Sequence, residues 1–188
     1  MIAKQKSLKS ALFVLTAIFL VFSPVRSFQQ DVNEDYTKKI KEYTTKDFFL
    51  TELVDHLPAS DSVPTPEDIL GVIAGAPDVL HYTGEIEKYF KAVAQASPRM
   101  VVFSIGESDE GKNQPTAALS SEKNLKRIER IKEILARLAD PRGLSDSEAQ
   151  ALVSEGVPVY WITGGLHSSE CGAPEMSMEL AYRLAVDE

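Results

Sequence analysis

His167 and Glu170, in the stretch "WITGGLHSSECGAPEM", set an imidazole and a carboxylate three residues apart. Both groups are good zinc ligands, and a spacing of three lets both point at one ion from a single turn. A catalytic zinc takes three protein ligands and leaves a fourth position to water; this stretch supplies two. A plainer reading stands beside that one: two polar side chains on a loop, with Glu170 favouring the N-terminus of the helix behind it. The other histidines are His56, in "LVDHLPAS", and His81, in "DVLHYTGE". Nothing in the local pattern brings either to this turn, and both read as surface or hydrogen-bonded residues. Cys171 adjoins Glu170, and sequence neighbours point apart, so it reads as a small apolar residue. It is the chain's one cysteine, which excludes an internal disulfide.

Two elements must position the pair. Residues 157–163 are nearly all apolar, which predicts a central strand covered on both faces, with Pro158 tolerable only at its start. Gly164 and Gly165 then let the backbone turn sharply. Residues 174–188 follow as a helix, with Pro174 in its first turn and Met176, Leu180 and Leu184 sharing a face. In open α/β sheets ligands bind beyond the carboxyl ends of the strands, and residues 164–172 lie at such a place.

The rest of the chain supplies the scaffold. Residues 28–80 read as a charged N-terminal extension packed on the domain, weakly patterned over 31–46, with a helix start at Thr65-Pro66-Glu67-Asp68. A helix is expected over 83–96, with Ile86, Phe90 and Val93 on one side and Pro98 beyond its end. Residues 100–105 and 116–119 read as a strand hairpin around "GESDEGKNQP". Leu125, Ile128, Ile131, Leu135 and Leu138 form a helical stripe over 122–139. Ser145 and Glu148 have the capping-box spacing for one more helix, ending near Gly156. Strands mixed with helices predict an α/β fold, a mixed sheet flanked by helices.

The ends give context. Lys4, Lys6 and Lys9 precede an apolar run at 11–22, and Val25 and Ser27 suit the positions before a cleavage site. Residues 1–27 therefore read as a Sec-type signal peptide cut after Ser27, making the product secreted or periplasmic. The apolar run has about 12 residues, short of the roughly 20 that span a bilayer, so no stable membrane anchor is expected after cleavage. Losing Lys4, Lys6, Lys9 and Arg26 takes the formal charge from −8 to −12. So acidic a chain argues against nucleic acid and anionic membrane surfaces as partners. At the other end the last helix reaches Asp187-Glu188 with no local cap and with acids against its dipole, so the chain is expected to continue.

"YWITGGLHSSECGAPEMSMELAYRLA" resembles the first zinc-binding segment of the zinc carboxypeptidase family, where an apolar strand ends in a Gly-x-His-x-x-Glu turn and passes into a helix. "HYTGEIEKYFKAVAQASPRMVVFSIGESDEGKNQPTAALS" is similar to that family's opening, with Ile105, Gly106, Ser108, Gly111 and Lys112 in its Ile-Gly-x-Ser-x-x-Gly-Lys positions. The resemblance covers roughly residues 81–188. It implies a Zn2+ cofactor, peptide or protein substrates, and His167 and Glu170 as the first two metal ligands. It also implies that the third ligand, the catalytic glutamate and an arginine for the substrate carboxylate lie beyond Glu188, so that this chain is truncated and inactive alone. The family often carries arginine where Ser169 stands, which leaves the substrate preference open. Residues 122–156 resemble a helical insertion between strands that the pancreatic members join directly. Two alternatives remain at this point: an N-acyl amino acid deacylase of the same clan, and an exported binding module without catalysis.

Overall fold

The computed structural model describes residues 30–167 and 169–186. The expected signal peptide, residues 1–27, lies outside the described residues. Seven α-helices, one short 3-10 helix (Asp47–Phe49) and one hairpin are described.

Helix α1 (Glu34–Tyr43) starts where the Asn33 side chain accepts from the Tyr36 amide at 3.0 Å, in the stretch whose pattern was weak. Helix α2 (Pro66–Leu70) has the expected capping box: Thr65 Oγ1 accepts from the Asp68 amide at 3.2 Å, and Asp68 accepts from the Thr65 amide at 2.8 Å. Gly71, at φ +85°, ends it after five residues. Helix α3 (Thr83–Ala96) runs over the expected residues. Its fully buried residues are Tyr89 and Val93, with Ile86 and Phe90 half-buried beside them.

Strands β1 (Met100–Glu107) and β2 (Asn113–Leu119) pair antiparallel, Met100 opposite Leu119 and Phe103 opposite Thr116. The alternation of β1 sorts its faces: Met100 and Val102 point to the core, Val101, Phe103 and Ile105 away from it. Pro115 is tolerated because β2 is an edge strand.

The stripe expected as one helix breaks at Arg127 into α4 (Glu122–Leu125) and α5 (Ile128–Ala139). Helix α5 buries Ile131 and Ile134, and leaves Leu135 exposed. Helix α6 (Asp146–Glu155) has the Ser145–Glu148 capping box. Arg130 holds it to α5 with two bonds to the Glu155 carboxylate, at 2.9 and 2.7 Å. A Cβ at Gly156 would lie 3.1 Å from Leu152 O and 3.3 Å from Ile134 Cγ2, so a side chain there would press α6 against α5.

Helix α7 (Gly172–Val186) corrects the expected face. Glu175, Met178, Ala181, Tyr182 and Ala185 are buried, while Met176 and Leu184 of the expected stripe are exposed. The deciding residue is Tyr182, whose ring joins Tyr36 of α1 and Tyr89 of α3 in the core cluster. Each of these phenols is bonded to main chain of the irregular 57–76 stretch. Tyr182 donates to Pro58 O at 2.9 Å, Tyr89 donates to Pro64 O at 3.2 Å, and Tyr36 accepts from the Ala74 amide at 3.0 Å. Burying each ring is worth about 2 kcal/mol, and each hydroxyl avoids an orphaned polar group. The same cluster takes in Leu57, Val63 and Ile73, so the lead-in shares the core of the later residues.

Residues 157–163 do not form the expected central strand. They carry no regular secondary structure and are largely exposed, with Tyr160 90% and Trp161 60% accessible. Among the described residues the sheet consists of β1 and β2 paired with each other, and residues 157–163 form no ladder with either. The α/β class stands, and the part of the sheet among the described residues is two antiparallel strands.

Candidate metal centre

The turn between residue 163 and α7 is built by glycine and by one carboxylate. Gly165 sits at φ +102°, where a side chain is strained, and a Cβ there would lie 3.3 Å from Glu170 O. The Glu170 amide donates to His167 O at 3.0 Å. Glu170 Oε2 accepts from the amides of Leu166 (2.8 Å) and His167 (3.1 Å). Its other oxygen, Oε1, lies 2.7 Å from His167 Nδ1. The His167 ring and these two amides hold the Glu170 carboxyl below the usual carboxylate range. The side chains of His167 and Glu170 are 68% and 48% exposed, so the pair converges at an open surface.

The donor set suits a metal in chemistry and in reach. Zinc–nitrogen and zinc–oxygen bonds of about 2.1 Å at a tetrahedral angle put two donors about 3.4 Å apart. Opening the His167–Glu170 contact from 2.7 Å by about 0.7 Å would admit an ion between them. Glu170 would stay anchored by its two amides. Among the described residues, no group of three or more His, Cys, Asp or Glu side chains is placed to hold a metal. Cys171 is exposed, its thiol directed to Ser169 O at 3.5 Å. His56 pairs with Asp55 at 2.5 Å, and His81 is buried elsewhere, so neither histidine joins the turn.

The residue that sequence reasoning missed is Glu175, in the first turn of α7. It is 6% exposed, although its sequence signal, an acid behind a proline at a helix start, is that of a solvated capping residue. Its oxygens accept from the Gly75 amide (3.1 Å), the His81 amide (2.8 Å) and His81 Nδ1 (3.0 Å). Burial by itself raises this carboxyl. The two amides and the His81 ring outweigh burial and hold it low.

The sequence model of the zinc carboxypeptidase family matches residues 86–187, more than half of the chain. The chain belongs to the zinc carboxypeptidase family. No curated protein and no solved structure matches it. As a zinc carboxypeptidase family member the chain is a hydrolase of that type, in a family that uses zinc and acts on peptides or proteins. The match begins within α3, includes α4 to α6, and contains the whole His167–Glu170 turn.

Proposed function

We propose that His167 and Glu170 are two zinc ligands of an exported carboxypeptidase. The observation that carries the reading is the convergence of Nδ1 and Oε1 to 2.7 Å on an exposed turn, within the family-matched residues. A zinc held there supplies a polarised carbonyl and a water whose pKa falls towards about 7. The chain's own contribution is to present the pair: Gly165 makes the turn, and the amides of Leu166 and His167 fix the carboxylate.

Two further parts belong to the proposal. The third ligand, the general base and the group that binds a substrate carboxylate lie on residues following Glu188, as the family resemblance implies. The 188-residue chain alone then binds zinc weakly and does not release C-terminal residues from peptides. The second part is export, with Phe28 as the mature N-terminus, which N-terminal sequencing of the protein recovered outside the cytoplasm reads directly.

The decisive measurement is zinc content and affinity of the full-length protein and its His167→Ala variant. Loss of a ligand should weaken binding by more than the 10–100-fold typical of changes around a site. Equal zinc affinity in the two proteins would show that the ligand assignment is wrong.

A further inference from the structure

We propose that Glu175, held by Gly75 and His81 from outside the family-matched residues, is a positioning clasp that sets the metal turn; this rests on the zinc reading above. The turn carrying His167 and Glu170 is exposed, and its described hydrogen bonds are internal to it. Leu166 is 86% exposed and packs on nothing that would hold the turn from that side. What fixes the turn to the body is therefore the chain that runs from it into α7. That chain is short. Glu175 follows Glu170 by five residues, with Gly172 between them, where a Cβ would meet nothing within 4 Å.

At Glu175 the helix is held firmly. One carboxylate binds two points of the same loop, Gly75 and His81, which are six residues apart just before α3. With its proton on Nδ1, the His81 ring donates to both oxygens at 3.0 Å. The side chains of His81 and Glu175 are 4% and 8% exposed. A carboxylate in the first turn of a helix also lies on the favourable side of the helix dipole. Moving α7 along or about its axis would break this set of bonds at once, so the clasp selects one position for the helix start and for the turn attached to it. Gly75 and His81 both precede residue 86, where the family match begins, so Glu175 is held by partners from outside the matched residues. Residues that orient a ligand without touching the metal commonly change affinity 10–100-fold when replaced.

The test uses the full-length protein and Zn2+ alone as the probe. Glu175→Gln and His81→Ala should weaken zinc binding about tenfold. His81→Asn, whose amide NH2 can stand where Nδ1 stands, should restore it. Tyr182→Phe is the control: it loses the Pro58 bond in the second half of α7, and lowers stability without changing zinc affinity. In zinc-free protein, the amides of Leu166 and His167 should exchange faster in Glu175→Gln than in Tyr182→Phe. If Glu175→Gln and His81→Ala bind zinc as tightly as Tyr182→Phe, or exchange in the turn is the same in all three, the clasp does not position the turn. Unchanged zinc affinity in His167→Ala would instead defeat the ligand reading, and the zinc-free exchange rates would still decide the clasp.

Discussion

At the residue scale, the His-x-x-Glu pair was visible because two potential ligands three apart need only one turn to meet. Gly165 is what makes that turn available, and its replacement is a sharp test. Gly165→Ala puts a Cβ at φ +102°, 3.3 Å from Glu170 O, and should cost about 1–2 kcal/mol in chemical unfolding together with a loss of zinc affinity. Glu175 was not legible, since no local pattern distinguishes an acid that caps a helix in water from one that accepts three bonds in the interior. Its burial has a pH signature. The folded carboxyl lies below its ordinary value, with the His81 ring as the titratable group that faces it. Its stabilisation is therefore complete above the unfolded pKa of about 4.3 and disappears as pH falls through the lower folded value. The difference in denaturation midpoint between wild type and Glu175→Gln should be constant from neutral pH down to about pH 5 and narrow below about pH 4.

At the element scale, helix starts and stops were readable because capping is local chemistry. Thr65 with Asp68 and Ser145 with Glu148 form their boxes within four residues. Helix faces were harder. Met176, Leu180 and Leu184 made the more apolar stripe of α7, yet the core selected the side with Tyr182, because burying a large ring with a satisfied hydroxyl outweighs two exposed aliphatic chains. Burial also pushes the Tyr182 phenol up to about 12. Tyr182→Phe leaves Pro58 O without its donor, so a loss of about 1–2 kcal/mol in thermal or denaturant unfolding is expected. The C-terminal end of α7 teaches the same lesson. Its sequence has no local cap, but Ser97 Oγ donates to Ala185 O at 3.0 Å and Arg99 Nε donates to Leu184 O at 3.2 Å. Donors from the α3–β1 connection replace the missing local ones, so a bare helix end in sequence says nothing about where a chain stops.

At the scale of the whole molecule, the feature that stands out is the exposed apolar segment at 157–163. The chain's single tryptophan, Trp161, lies in it and is 60% exposed. In the 188-residue chain its fluorescence should be readily quenched by acrylamide. If the proposed downstream residues pair with this segment, quenching should fall several-fold in the full-length protein. Equal quenching in both would mean that the segment stays unpaired there. The lead-in behaves differently from this segment. Asn33 donates its amide to Leu57 O at 2.9 Å, Thr37 Oγ1 accepts from the Leu57 amide at 3.0 Å, and Tyr36 enters the core. Deleting residues 31–45 should therefore unfold the protein and not merely trim it, which circular dichroism would show.

The sequence by itself determined local events such as the capped starts of α2 and α6, where the hairpin turns, and that an imidazole and a carboxylate share one turn. These depend on interactions within about four residues, and so they survive without knowledge of the rest. Tertiary structure decided which helix face is buried, what caps α7, and whether an apolar run becomes a strand, since a strand needs a partner that sequence position does not supply. It also decided that a glutamate and a histidine 94 residues apart are bonded, because only packing can bring them together and exclude the water that would otherwise separate them.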